Sequence, residues 1–230
     1  ARENTENNKL FERISADFSG INFKNEIATN DSINILNYEY LYNGGGVGIG
    51  DFNSDGLPDI VFSGNIEKSR IYINKGDLQF DDITESSGIN TQGKWCTGVS
   101  IIDINQDGFD DIYLNIGGMG NKSMFPNLLY INNGDASFTE SAKEYGLADQ
   151  GESIQSIFFD YDLDGDLDMY LLTGGGFEKS AINIRPILKD GQGRNTDRLY
   201  RNDFNNELGH PLYTNVSTEA GISIEGFGLG

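Results

Sequence analysis

Three copies of one acidic nine-residue loop constrain this chain more than any other feature: DFNSDGLPD at Asp51 to Asp59, DINQDGFDD at Asp103 to Asp111 and DYDLDGDLD at Asp160 to Asp168. Each sets side-chain oxygens at positions 1, 3, 5 and 9 and glycine at position 6, the oxygen-rich layout that a hard cation such as calcium requires. The candidate ligands are Asp51, Asn53, Asp55 and Asp59 in the first loop, Asp103, Asn105, Asp107 and Asp111 in the second, and Asp160, Asp162, Asp164 and Asp168 in the third. The backbone carbonyl at position 7 (Leu57, Phe109, Asp166) is a further ligand, and Gly56, Gly108 and Gly165 permit the sharp turn that a side chain would obstruct. Three calcium ions are expected, one per loop.

The residues after position 9 exclude an EF-hand. That motif needs a glutamate at position 12 on an emerging helix, whereas position 12 here is Phe62, Leu114 or Leu171, inside the apolar runs DIVFSG, DIYLNI and DMYLLT. These runs are short, aromatic and β-branched, and GVGIGDF, GVSIIDI and QSIFFDY precede the loops, so each loop joins two strands. Each unit then gives a third strand and an Asn/Gly/Asp turn in RIYINKGD, LLYINNGD and RLYRND. A fourth strand follows in LQFDDIT, ASFTESA and LYTNVST, leading to a glycine and an apolar residue at Gly88-Ile89, Gly146-Leu147 and Gly221-Ile222.

Loop starts at 51, 103 and 160 repeat at roughly the period of a four-stranded β-propeller blade. The fold class is therefore all-β, a propeller of four-stranded antiparallel blades, with about three complete blades and partial flanking strands. The expected divisions are a polar tail at 1–9, a closing strand and lead-in at 10–44, blades at 45–97, 98–153 and 154–222, and the start of a further blade at 223–230. LFERIS at Leu10 to Ser15 reads as a fourth strand without a blade of its own, with Gly20-Ile21 as its glycine-apolar pair. The polypeptide is expected to continue past Gly230, or another chain to cover the open ends.

These residues resemble the FG-GAP or VCBS repeat, the calcium-binding blade of integrin α-subunit propellers, and the FxDIT…GI strand endings look closest to bacterial secreted relatives of cartilage acidic protein. The Gly-Ala-Pro element of the integrin pattern is replaced by Ser63-Gly64-Asn65, Asn115-Ile116-Gly117 and Thr173-Gly174-Gly175, which puts an integrin-type ligand in doubt. The resemblance implies an extracellular or cell-surface location, including a lipid-anchored outer-membrane protein of a bacterium, with a removed signal ahead of the polar start.

The formal charge of −20 argues against nucleic acid or an anionic membrane as partner. The sequence has no transmembrane run. Cys96 is alone, so it forms no internal disulfide and reads as a small core residue beside Trp95. His210 is the single histidine and no nucleophile elbow or zinc pair accompanies it, so no catalytic residue is assigned.

A protein or glycan ligand, or assembly with other surface proteins, is expected on the face opposite the calcium loops, where the segment between strands 2 and 3 lengthens in the third unit. Two features there suggest recognition. One is the basic stretch Glu178 to Arg201, with Lys179, Arg185, Lys189, Arg194, Arg198 and Arg201; the plainer reading pairs Arg198 and Arg201 with Asp197 and Asp203. The other is the alternation of Tyr38, Tyr40 and Tyr42, as a strand would present them to one side, although packing on the first blade is the plainer role. The expected function is a non-enzymatic, calcium-binding surface module for adhesion, ligand binding or assembly; the alternative is a propeller-scaffold enzyme acting on polysaccharide.

Overall fold

The computed structural model describes residues 10–38, 40–117, 125–174, 186–205 and 207–226. Within them the short apolar runs form twelve strands in three antiparallel sheets of four. The first sheet holds β1 (Val47–Gly50), β2 (Asp59–Phe62), β3 (Arg70–Asn74) and β4 (Phe80–Asp82). β5 (Trp95–Ile102), β6 (Asp111–Gly117), β7 (Leu128–Asn132) and β8 (Phe138–Glu140) make the second. The third consists of β9 (Ser153–Phe159), β10 (Asp168–Thr173), β11 (Arg198–Asn205) and β12 (His210–Asn215). Strand order follows chain order in each sheet, so every acidic loop is the β1–β2 connection of its unit or its counterpart. β5 begins at Trp95 and crosses the 97/98 division drawn from the sequence.

The sheets pack in series. Phe52, Val61 and Ile71 of the first meet Val99, Ile112 and Leu114 of the second. On the other side of the second sheet, Tyr113, Leu129 and Leu147 meet Met169, Leu171 and Tyr200 of the third. β6 is therefore buried along its whole length, which is why DIYLNI reads as an almost unbroken apolar run rather than an alternating one. The sheets do not close into a ring among the described residues.

One joint recurs between sheets. After β4 the chain turns at Gly88 (φ +84°), where Phe138 N–H donates to Ser87 O at 2.7 Å; after β8 it turns at Gly146 (φ +77°), where Tyr213 N–H donates to Tyr145 O at 2.8 Å. A Cβ on Gly88 would stand 2.8 Å from the Phe138 carbonyl oxygen, and one on Gly146 would stand 2.5 Å from that of Tyr213. The glycines are needed both for positive φ and for this close approach.

Two expectations about the first 44 residues are corrected. Leu10 to Ser15 is not a strand: no described neighbour pairs with it, and Leu10 and Phe11 are 91% and 90% exposed. A one-turn helix, α1 (Ala16–Ser19), follows instead, with Ser15 as its N-cap and Gly20 at its end. Gly20 nonetheless docks against the Phe80 carbonyl as Gly88 and Gly146 dock on theirs.

Tyr38, Tyr40 and Tyr42 also lie on turns rather than a strand. The Asn30 side chain accepts from Ser32 and Ile33 N–H, and that of Asn34 from Leu36 and Asn37 N–H, so local amide bonds capture the backbone before a ladder can. Tyr38 is buried edge-on against Trp95, with ring centroids 5.5 Å apart, while Tyr42 is exposed. The tyrosines form no common stripe; packing is the role of Tyr38.

Candidate metal centres

Each loop is wound around its first aspartate. In the first, Asp55 N–H donates to Asp51 Oδ1 (3.0 Å) and Gly56 N–H to Asp51 Oδ2 (2.9 Å); in the second, Asp107 and Gly108 treat Asp103 in the same way at 3.0 and 2.9 Å. In the third, Asp164 and Gly165 reach Asp160 at 3.2 Å each. The winding needs positive φ at position 6, met by Gly56, Gly108 and Gly165, and also at position 4, where Ser54, Gln106 and Leu163 take values of 58°, 58° and 66°. Leu163 is an uncommon residue for that conformation.

Position 7 donates back to position 5: Leu57 N–H to Asp55 (2.8 Å), Phe109 N–H to Asp107 (2.9 Å) and Asp166 N–H to Asp164 (3.2 Å). At position 3, Asn53 and Asn105 accept from the N–H of position 5 at 3.1 Å and donate their amides to its carboxylate at 2.9 and 2.8 Å. The position-5 aspartates are exposed in all three loops.

Position 9 behaves differently from the rest. Asp59, Asp111 and Asp168 are fully buried, at 0% exposure. Each carboxylate accepts two backbone N–H groups, one from position 2 of its own loop (Phe52, Ile104, Tyr161; 2.8 to 3.0 Å) and one from the fifth residue of the third strand (Asn74, Asn132, Asn202; 2.7 to 2.8 Å). These aspartates close the loop onto the sheet, and only the lone pairs not taken by N–H groups are left for a cation.

The asparagines complete that closure. Asn74 donates its side-chain amide to Pro58 O at 2.9 Å, Asn132 to Asp110 O at 3.2 Å and Asn202 to Leu167 O at 3.3 Å, in each case the carbonyl of position 8. Sequence reading placed these residues only in the Asn/Gly/Asp turn; their recurrence after YI, YI and YR was the available signal. Asn132 also donates to Phe52 O (2.9 Å), and Asp51 N–H donates to Asp110 Oδ2 (2.8 Å), so the first two loops are tied to each other across the sheets.

Electrostatics separate the loops. Burial raises the Asp59 and Asp111 carboxyls against the lowering effect of their N–H bonds, Asp111 to about 7. In the third loop burial and then the Asp164 charge raise Asp162, and the same causes push Asp166 up to about 6. Among the described residues, Asp160, Asp162 and Asp168 bring one carboxylate oxygen each within 4.8 Å of one another. Asp166 Oδ1 beside them is buried without a hydrogen-bond partner. Converging carboxylates and an orphaned oxygen, with no nitrogen or sulfur donor among them, fit a hard divalent cation.

The other candidates hold structural places. The Cys96 thiol is buried and pushed up to about 11 by burial, consistent with an inert core residue. His210 opens β12 and stacks on Tyr145, centroids 4.4 Å apart. Arg198 pairs with Asp149 at 3.0 Å, not with Asp197, whose carboxylate instead receives Thr173 N–H and the Tyr170 hydroxyl. Arg201 does pair with Asp203 at 2.9 Å, and Arg194 with Glu152 at 2.8 Å. Lys179, Arg185, the polar tail at 1–9 and residues 227–230 lie outside the described residues. No described helix is long and apolar enough to cross a membrane.

Comparison with known families supports the repeat. Residues 51–114 match the model of the FG-GAP-like repeat, so the chain carries a repeat of that kind spanning the first two acidic loops. No curated protein matches the chain.

Proposed function

We propose that the chain is a calcium-dependent, propeller-type module of the extracellular space or the cell surface, with one ion held in each acidic loop. The observation that carries this reading is the third loop, where three carboxylate oxygens lie within 4.8 Å of one another. The first two loops share its winding and its buried aspartate. Asp51, Asp103 and Asp160 would contribute carboxylate oxygens from position 1, with Asn53, Asn105 and Asp162 from position 3 and Asp55, Asp107 and Asp164 from position 5. A bound cation would cancel the repulsion among these groups and pin each loop to its hairpin. The role of the ion is structural: it would make a rigid platform within a chain whose formal net charge is −20 in its absence.

The FG-GAP-like match supports the module reading, since repeats of this kind commonly build extracellular propeller-like domains. On such a platform, recognition of a protein or glycan falls to the side opposite the loops, where the long connection between β10 and β11 emerges. We read the module as non-catalytic, because the repeated acids are tied into loop frames and the single histidine is packed on Tyr145. Titration calorimetry with calcium on chelator-stripped protein tests the metal reading, and a glycan array with a depolymerisation assay tests the recognition reading. Polysaccharide cleavage by the intact chain would replace the module with the enzyme.

A further inference from the structure

Asparagine is a thermolabile side chain, and most so before glycine, whose bare backbone leaves its nitrogen free to reach the asparagine side-chain carbonyl. The chain holds two such pairs, Asn43-Gly44 and Asn133-Gly134. Four aspartate-glycine pairs offer the same ring closure, at Asp55-Gly56, Asp107-Gly108, Asp164-Gly165 and Asp190-Gly191.

Five of these six pairs have their reacting groups engaged. Asn133 donates its amide to Ser137 Oγ at 2.9 Å and accepts from Thr139 Oγ1 at 3.1 Å, while Gly134 N–H donates to Asn132 Oδ1 at 3.0 Å. The nitrogens of Gly56, Gly108 and Gly165 donate to the first aspartates of their loops, and Gly191 N–H donates to Ser223 O at 2.9 Å. Asn43-Gly44 differs at every point. Asn43 is exposed and its side chain makes no hydrogen bond among the described residues, and Gly44 N–H has no described acceptor. Nothing lies within 4 Å of where a Gly44 Cβ would stand, which leaves room for a ring.

We propose that Asn43 is a site of spontaneous deamidation that loosens the lead-in segment from the sheets it packs on. Gly44 N bonds to Asn43 Cγ, the Cγ–Nδ2 bond breaks, and Nδ2 leaves as ammonia with the proton of the Gly44 N–H. Water then adds across one or the other carbonyl–nitrogen bond of the cyclic imide. The product is an aspartyl linkage, or an isoaspartyl linkage in which the main chain runs through Cγ and gains one atom. Both products add a negative charge. Water is the only co-reactant, so the proposal does not depend on the calcium reading.

The consequence follows from what flanks the pair. Downstream the backbone is fixed: Gly44 O accepts from Asn65 Nδ2 at 3.1 Å, Gly46 N–H donates to Ser63 Oγ at 2.6 Å, and a Cβ on Gly46 would stand 2.8 Å from Val99 N. Asn65 is itself buried and donates to Cys96 O of the second sheet at 3.0 Å. Upstream, Tyr38 and Leu41 are buried in a small cluster with Trp95, apart from the two main cores. A close-packed strand end does not yield an atom's length, so the isoaspartyl linkage displaces the upstream side and draws Tyr38 away from its edge-on contact with Trp95.

The test ages the 230-residue chain in warm, mildly alkaline buffer and follows both asparagine-glycine peptides by mass spectrometry, with the emission of Trp95, the single tryptophan, as second readout. A one-dalton gain should appear at Asn43 at least about tenfold faster than at Asn133, which reacts only after local opening. Trp95 emission should shift to the red in step with the isoaspartyl product. Asn43→Gln, which loses no hydrogen bond and would need a larger ring, should abolish both changes. Freshly prepared Asn43→Asp, which adds the charge without the extra backbone atom, should keep the emission of the unaged chain. Deamidation at Asn43 no faster than at Asn133 would overturn the proposal. So would a converted position 43 with Trp95 emission unchanged, or an equal red shift in aged Asn43→Gln.

Discussion

The first and third acidic loops share a frame and differ in how they meet their own charge. In the first, Asn53 gives its amide to Asp55 at 2.9 Å, so two of the candidate ligands are already bonded to each other. In the third, Asp162 stands at the same position and has no amide to give; it is raised by burial and by Asp164, and Asp166 Oδ1 nearby has no partner. The buried closure beneath is the same in both, two backbone N–H groups on Asp59 and two on Asp168. One layer of the loop therefore serves the fold whether or not metal is present, while the other layer is self-satisfied in the first loop and strained by like charge in the third.

The largest effect should come from the layer that the loops share. Asp111→Ala or Asp168→Ala leaves two buried N–H groups without acceptors, at about 1–3 kcal/mol each. Denaturant melts should therefore show a loss of about 2–6 kcal/mol even in chelator. A comparable loss from the exposed Asp107→Ala under chelation would erase the distinction between layers.

Calcium removal comes next. At free calcium one hundred times its Kd, a site that binds only the folded state contributes about 2.7 kcal/mol, so chelation should lower the melting temperature clearly. Asp164→Ala should abolish most of the share due to the third loop, read as the loss of one ion in calorimetry.

The pH response of chelated protein sharpens the comparison through its sign. Asp111 is raised from 3.8 to about 7 and Asp166 from 3.8 to about 6, so the folded state holds their protons more tightly than the unfolded chain does. That contribution is complete below 3.8 and is lost as pH rises toward 7. Melting temperature in chelator should fall across this window, and saturating calcium should remove the fall because the cation takes the place of the proton. A chelated melting temperature that rises across the window would contradict the burial assigned to these carboxyls.

The smallest effect should be Asp162→Asn, which gives the third loop the amide of the first. It should stabilise the chelated protein by about 0.5–1.5 kcal/mol, the worth of one added hydrogen bond, and so narrow the gap between chelated and calcium-loaded melts. Asn53→Asp should widen it.

How far the sequence could be read follows from what each feature depends on. The loops, strands and glycine joints were legible because each is a local pattern repeated three times, and Gly56 or Gly88 is required by its own backbone. The double role of Asp59, Asp111 and Asp168 was not, because acceptance of N–H groups from Asn74, Asn132 and Asn202 appears only once the third strand lies beside the second. Tyr38 to Tyr42 misled for a related reason: alternation is a strand signal only where the backbone is free to pair, and the side chains of Asn30 and Asn34 had already bent it into turns. Leu10 to Ser15 has the residues of a fourth strand but no described third strand beside it.

Titration calorimetry on the chelator-stripped chain, repeated with Asp162→Asn, tests the central claim most directly. The account predicts three calcium ions per chain, with the third-loop site the one whose enthalpy and affinity change in the variant while the other two keep theirs. Binding of no calcium by the folded wild-type chain would contradict it.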